Sequence, residues 1–163
     1  MKLDFSIIIP VKEVNSFLKK NIEQILSFKS DKSFEIIIVP NNKFEHSYTS
    51  KIVKVIESGK VGPAKKRDLA AKVANGYLLV FLDDDSFPAK NYLEIAYNLF
   101  KKDKELVAVG GPGVMPKDQN FFGKVLGSIF ISKLAGGYPE RYLSVKKKKF
   151  LFTDDWPSVN MVI

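Results

Sequence analysis

The sequence contains no cysteine, which excludes disulfides and thiolate metal sites. Its single histidine, His46, falls in a polar stretch and reads as a loop residue without a catalytic role. No apolar run approaches the roughly 18–20 residues that a membrane-spanning helix needs. The N-terminal MKLDFSIIIPV lacks the basic region and small-residue cleavage site of a signal peptide, so it reads as mature structure. Internal repeats and linkers are absent too, and a cytoplasmic protein is the expectation.

Acidic residues are in the minority, with 18 Asp and Glu against 26 Lys and Arg, for a net charge of +8. That balance favours an anionic partner, whether nucleic acid, a phosphorylated small molecule or an acidic membrane surface. The one concentrated basic run, Lys146 to Lys149, reads on its own as a solvated patch. At 163 residues, 45% hydrophobic and 27% charged, the chain fits one globular domain with a proper core.

Apolar, β-branched runs ended by proline mark strands buried on both faces. Two stand out, Phe5–Val11 and Phe34–Val39, with shorter ones at 52–56, 77–82 and 106–109. Helical spacing follows Asn15–Ser16, which can cap a helix carrying Leu18, Ile22 and Ile25. Gly62–Pro63 opens a second helix through about Val73, and residues 91–102 form a third. Alternating strands and helices predict an α/β domain with a mainly parallel sheet flanked by helices. Beyond Pro116 the rhythm changes: residues 121–134 form an apolar, glycine-containing helix or loop, and 136–149 are irregular. Strand-like pieces follow at 150–152 and 159–163, so the domain reads as cut short at its C-terminal end.

The run Tyr77–Leu82 leads directly into Asp83, Asp84 and Asp85. In an open parallel sheet, ligands bind beyond the carboxyl ends of the strands, which is where these aspartates lie. Side-chain alternation would send Asp83 and Asp85 to one side and Asp84 to the other. Converging carboxylates ionise together only when a cation compensates them, and a hard divalent ion sharing phosphate oxygens suits them best. The alternative is an aspartate cluster that caps the next helix. Asn41 and Asn42, after the second strand, suit the edge of a nucleobase, or else a plain turn. Arg67 can lend its fork of donors to a diphosphate, or pair at the surface with Asp68 or Glu57.

SIIIPV, FEIIIV, and above all GPAKKRDLAAKVANGYLLVFLDDDSFP at Gly62–Pro88, together resemble a family 2 glycosyltransferase of the GT-A fold, a Rossmann-like architecture. GGPGVMP and DDWPSVNMVI are similar to bacterial polysaccharide-synthesis members. The resemblance implies a nucleotide-diphosphate sugar of the UDP or GDP type as donor and a saccharide or lipid-linked acceptor, with no nucleic acid. It places Pro10, Val11 and Glu13 around base and ribose, Arg67 beside the nucleotide, Asp83 on ribose or metal, and Asp84 in a supporting role at the nucleotide-sugar site. Asp85 would ligate Mn2+ or Mg2+, while Asp154, Asp155 and Trp156 would face the sugar or acceptor. It also locates the catalytic base beyond Ile163, with Asp155 the one candidate replacement inside the chain.

Departures from the pattern are specific. Pro40-Asn41-Asn42-Lys43 stands where the family has an acidic run, and Glu13 matches the Asn-Glu after the first strand only in part. A nucleotidyltransferase would carry a glycine-rich loop after the first strand, and PVKEVNSF has none. The rival from another class is a non-catalytic nucleotide-sugar-binding or partner-binding module. For residues 121–134, packing on the sheet is the expectation; peripheral contact with an anionic membrane is the alternative.

Overall fold

The computed structural model describes residues 2–42, 51–116, 118–135, 139–143, 152–153 and 156–163. His46, Lys146–Lys149, Asp154, Asp155 and the first two residues of the 150–152 piece lie outside these. Phe152 is exposed and belongs to no strand.

The chain runs β1 (Leu3–Pro10), α1 (Ser16–Leu26), β2 (Phe34–Val39), β3 (Val53–Val55), α2 (Pro63–Ala71), β4 (Gly76–Leu82), α3 (Tyr92–Lys102), β5 (Val109–Gly110), α4 (Phe121–Phe130), a short 3-10 turn (Pro139–Arg141) and β6 (Asn160–Val162). The strands form one sheet in the order β3-β2-β1-β4-β6-β5. β1 lies parallel to both β2 and β4, and β3 parallel to β2; β6 is antiparallel to both of its neighbours, β4 and β5. The expected α/β, mainly parallel sheet is present.

β1 and β2 are apolar nearly throughout because the sheet is covered on both faces. Ile7, Ile9, Ile36 and Ile38 pack with Leu18, Ile22 and Ile25 of α1 and Leu93 of α3. On the opposite face Ile8, Ile37, Val39 and Phe81 pack with Ala70 of α2. Asn15 caps α1 by accepting the Leu18 amide at 2.9 Å.

Two polar side chains interrupt the apolar strands, and they find each other. Ser6 donates to Glu35 at 2.7 Å, and the Asn75 amide donates to the same carboxylate at 2.7 Å. Lys54 completes the cluster as an ion pair with Glu35. Gly76 closes it, because a Cβ there would lie 2.2 Å from the Ser6 backbone nitrogen. The network pins the amino ends of β2 and β4, opposite the end where ligands bind in such sheets.

Two expectations need correction. β5 covers Val109–Gly110 rather than 106–109, because only those two residues reach β6 to pair, while Val107 is 80% exposed. α4 does not pack on the sheet. Its Gly127 meets Met115, its Phe130 lies against Tyr142, and Phe121, Phe122, Leu126 and Ile129 are exposed.

Candidate nucleotide-sugar site

The carboxyl ends of β1, β2 and β4 surround a cavity of about 750 Å³, within the usual range for small-molecule sites. Its walls are Pro10, Val11, Lys12 and Glu13 after β1, and Asn41 and Asn42 after β2. Lys60, Val61, Pro63 and Lys66 come from the approach to α2 and its first turn, and Asp83 and Asp84 from the end of β4. Pro10, Val11, Glu13, Asn41, Asn42, Asp83 and Asp84, all singled out from the sequence, therefore meet at one cavity.

Arg67 reaches the same end of the sheet through a partner the sequence did not suggest. Its Nη2 donates to Asp83 Oδ1 at 2.9 Å, in place of a surface pairing with Asp68 or Glu57. Its Nε has no hydrogen-bond acceptor among the described residues. The Asp83 carboxyl is nonetheless pushed above the ordinary range. Burial is the main cause, Arg67 opposes it, and the charges of Asp85 and Asp84 add to it.

The three aspartates are not arranged as strand alternation predicts. β4 ends at Leu82, and the chain turns at once, with the Ser86 amide donating to the Asp83 carbonyl at 3.1 Å. Asp83 and Asp84 thus both line the cavity, while Asp85 is exposed beside it. Asn15 Nδ2 donates to the Asp84 carboxylate, and Asn21 Nδ2 donates to the Asp83 carbonyl at 3.0 Å. From just before β6, the Val159 carbonyl accepts the Asp83 amide at 3.3 Å and the Ser86 hydroxyl at 3.1 Å. Helix capping does not explain the cluster, since α3 starts only at Tyr92 with Asn91 as its cap residue.

The buried end of the cavity is held by Lys66, which is 3% exposed. Its ammonium donates to the Val11 carbonyl and, at 2.7 Å, to Asn41 Oδ1. Burial lowers its pKa from the ordinary lysine value. Gly59, at φ +69°, makes the turn that leads into Lys60 and Val61, and its amide donates to the Asn41 carbonyl at 2.9 Å.

Carboxylate oxygens are the right donors for a hard divalent cation. Asp83 keeps Oδ2 beyond its Arg67 contact, and Asp85 has no hydrogen-bond or ion-pair partner among the described residues. No three acidic or histidine side chains converge there among the described residues, so phosphate oxygens and water would have to complete the coordination.

A model of one family, described as glycosyl transferase family 2, matches residues 6–157. The chain belongs to that family.

Among its relatives, this family 2 chain is 22% identical to the glycosyltransferase GlyA of Streptococcus pneumoniae serotype 4, over 93% of its own length and 23% of GlyA. Residues 1–349 of TarS from S. aureus, in complex with UDP-GlcNAc, superpose with a TM-score of 0.60 at 20% identity, over 72% of this chain and 36% of that one. The mannosyltransferase PcManGT from Pyrobaculum calidifontis, in complex with GDP-Man and Mn2+, gives 0.56 at 15% identity, over 80% and 40%. These likenesses show the GT-A fold. The chain spans about a quarter to two-fifths of the length of these relatives.

Trp156 lies outside the cavity wall. Its ring sits against Gly110, where a Cβ would come within 2.0 Å of the indole nitrogen, and its N–H has no acceptor among the described residues. Lys12, Asn15, Asn21, Lys60 and Lys66 are site residues that the sequence did not single out. Asn15 carried a signal only as a helix cap.

Proposed function

We propose that this chain binds a nucleotide-diphosphate sugar of the UDP or GDP type. The sugar would pass to a saccharide or lipid-linked acceptor in bacterial polysaccharide synthesis. The observation that carries the reading is the single cavity at the carboxyl ends of β1, β2 and β4, which joins Asn41 and Lys66 at one end to Asp83 and Asp84 at the other. Family membership supports it, as do the UDP-GlcNAc bound by TarS and the GDP-Man bound by PcManGT.

In this reading the base and ribose lie along Pro10, Val11 and Glu13, with Asn41 and Asn42 beside the base. The diphosphate lies toward β4. The N-terminus of α2 has no side-chain cap and lines the cavity through Pro63, so its positive pole, Lys60 and Arg67 favour an anion there. Asp85 and Asp83 hold Mn2+ or Mg2+. When bound, the cation offsets the charge of the departing diphosphate. Asn15 and Asn21 fix the aspartate turn, and Arg67 orients the Asp83 carboxylate.

Transfer requires a base that takes the acceptor's proton while the anomeric carbon leaves the diphosphate oxygen for the acceptor oxygen. Glu13 is the one further carboxylate lining the cavity among the described residues, and it is exposed at the rim. This favours a second reading for the chain on its own, donor binding without transfer. Asp154 and Asp155 remain proposals for the acceptor side, as does Trp156. The exposed apolar face of α4 with Lys124 is assigned to peripheral contact with an anionic membrane.

Calorimetry separates the readings. UDP or GDP should bind only with Mn2+ or Mg2+, and Asp85→Ala should abolish that binding; metal-independent binding of equal strength contradicts the assignment. Release of UDP or GDP from a sugar nucleotide in the presence of saccharide acceptors marks transfer, and its absence alongside intact binding marks the second reading.

A further inference from the structure

The backbone between β4 and α3 carries the aspartates but makes few hydrogen bonds of its own. Within residues 83–92 two backbone bonds close, from the Ser86 amide to the Asp83 carbonyl at 3.1 Å and from the Tyr92 amide to the Ala89 carbonyl at 2.9 Å. Apart from the Val159 carbonyl, this backbone is held by side chains of α1. Asn21 Nδ2 donates to the Asp83 carbonyl at 3.0 Å and to the Asp84 carbonyl at 3.4 Å. One turn further along α1, Gln24 Nε2 donates to the carbonyl of the buried Pro88 at 2.6 Å.

Asn21 is a poor choice on packing grounds. It is fully buried and lies at helical spacing with Leu18, Ile22 and Ile25, on the face of α1 turned to the core. Its Oδ1 has no hydrogen-bond partner among the described residues. A buried amide with an unpaired oxygen costs stability that an apolar side chain would not. A residue that breaks the packing rule in this way belongs with function, and the hydrogen bonds of Asn21 go to the aspartate turn alone.

The number of ligands makes that turn matter for the cation. Asp83 and Asp85 are two carboxylates, and no group of three acidic or histidine side chains forms among the described residues. Asp85 has no hydrogen-bond or ion-pair partner among the described residues, so the backbone of the turn sets where its carboxylate stands. Few ligands hold a metal well only when their separation is fixed by the groups behind them.

We propose that Asn21 and Gln24 are positioning residues for the divalent cation. They hold the 83–88 backbone in the conformation that keeps Asp85 beside the cavity lined by Asp83. This role rests on the nucleotide-sugar reading and deepens it, because it assigns affinity for the metal, as distinct from contact with the nucleotide, to one side of α1.

Calorimetric titrations with UDP at a series of Mn2+ concentrations give the Mn2+ midpoint for the wild type, Asn21→Leu, Gln24→Glu and Gln24→Lys. Loss of a group that orients metal ligands lowers metal affinity about 10- to 100-fold, so Asn21→Leu and Gln24→Glu should raise the midpoint by at least about tenfold. At saturating Mn2+ both should recover the wild-type affinity for UDP, which a general loosening of the fold would not allow. Gln24→Lys keeps a donor for the Pro88 carbonyl and should stay near the wild-type midpoint. Charge alone gives the reverse order, since a glutamate attracts a cation and a lysine repels it. Melting curves establish which variants fold, and if Asn21→Leu does not, the Gln24 pair decides alone. An unchanged midpoint in folded Gln24→Glu, equal shifts in the two Gln24 variants, or UDP binding that stays weak at saturating Mn2+ overturns the role. A folded wild-type chain that binds no UDP, or binds it equally without Mn2+, overturns the donor-site reading itself and the role with it.

Discussion

Glu35 and Lys66 are both charged, both buried, and compensated by opposite means. Burial alone would raise the Glu35 carboxyl, but Lys54, the Asn75 amide and Ser6 outweigh it and hold its pKa below the ordinary 4.5. A depressed carboxyl stabilises the fold fully above the unfolded-state value and loses that contribution as pH falls through the folded-state value. Acid unfolding should therefore steepen below about pH 4.5. Glu35→Gln should flatten that limb and cost about 1–3 kcal/mol at neutral pH, because Lys54 and the backbone donors lose a charged acceptor. Urea titrations from pH 3 to 7 check both; parallel slopes in the two proteins would contradict the assignment. Neither residue's role was legible in the sequence. Lys66 sits in AKKRDLAA beside Lys65, which is exposed, and only the packing of α2 against β1 and β2 distinguishes them.

Elements were legible where periodicity and punctuation agreed. α1 starts at its asparagine cap, β2 spans the whole FEIIIV run, and α2 opens at Gly62–Pro63. Legibility failed where pairing or a turn decides. The bounds of β5 depend on β6, far along the chain, and the side taken by Asp84 depends on a turn that ends strand alternation at Leu82. α4 shows the same limit. Its apolar residues suggest burial, yet among the described residues of the helix only Gly127 is buried. A helix with Phe121, Val125 and Ile129 beside Lys124 along one groove matches an interfacial helix on anionic lipid. Flotation with phosphatidylserine vesicles should recover the chain at low salt and lose most of it for Phe122→Glu/Leu126→Glu. Equal flotation of wild type and variant, or none by either, would end the membrane assignment.

At the scale of the whole molecule, one sheet order accounts for the site. Placing β1 between β2 and β4 brings three loop ends together, and Val159, in the turn that leads into the antiparallel β6, braces the aspartate turn. None of the described helices is long and apolar enough to cross a membrane. The sequence motif at Gly62–Pro88 pointed to this arrangement because it holds both α2, with Arg67, and β4, with its aspartates. It could not show that the two meet through Arg67 and Asp83. In the proposed function a nucleoside diphosphate spans this cavity, with a divalent cation at the β4 end. Crystals grown with UDP and Mn2+, with diffraction recorded near the manganese absorption edge, test it most directly. One anomalous peak is expected beside the carboxylates of Asp83 and Asp85, with the uracil ring against Asn41 and Lys66. Nucleotide bound elsewhere, or bound in the cavity with no anomalous peak at those aspartates, would contradict it.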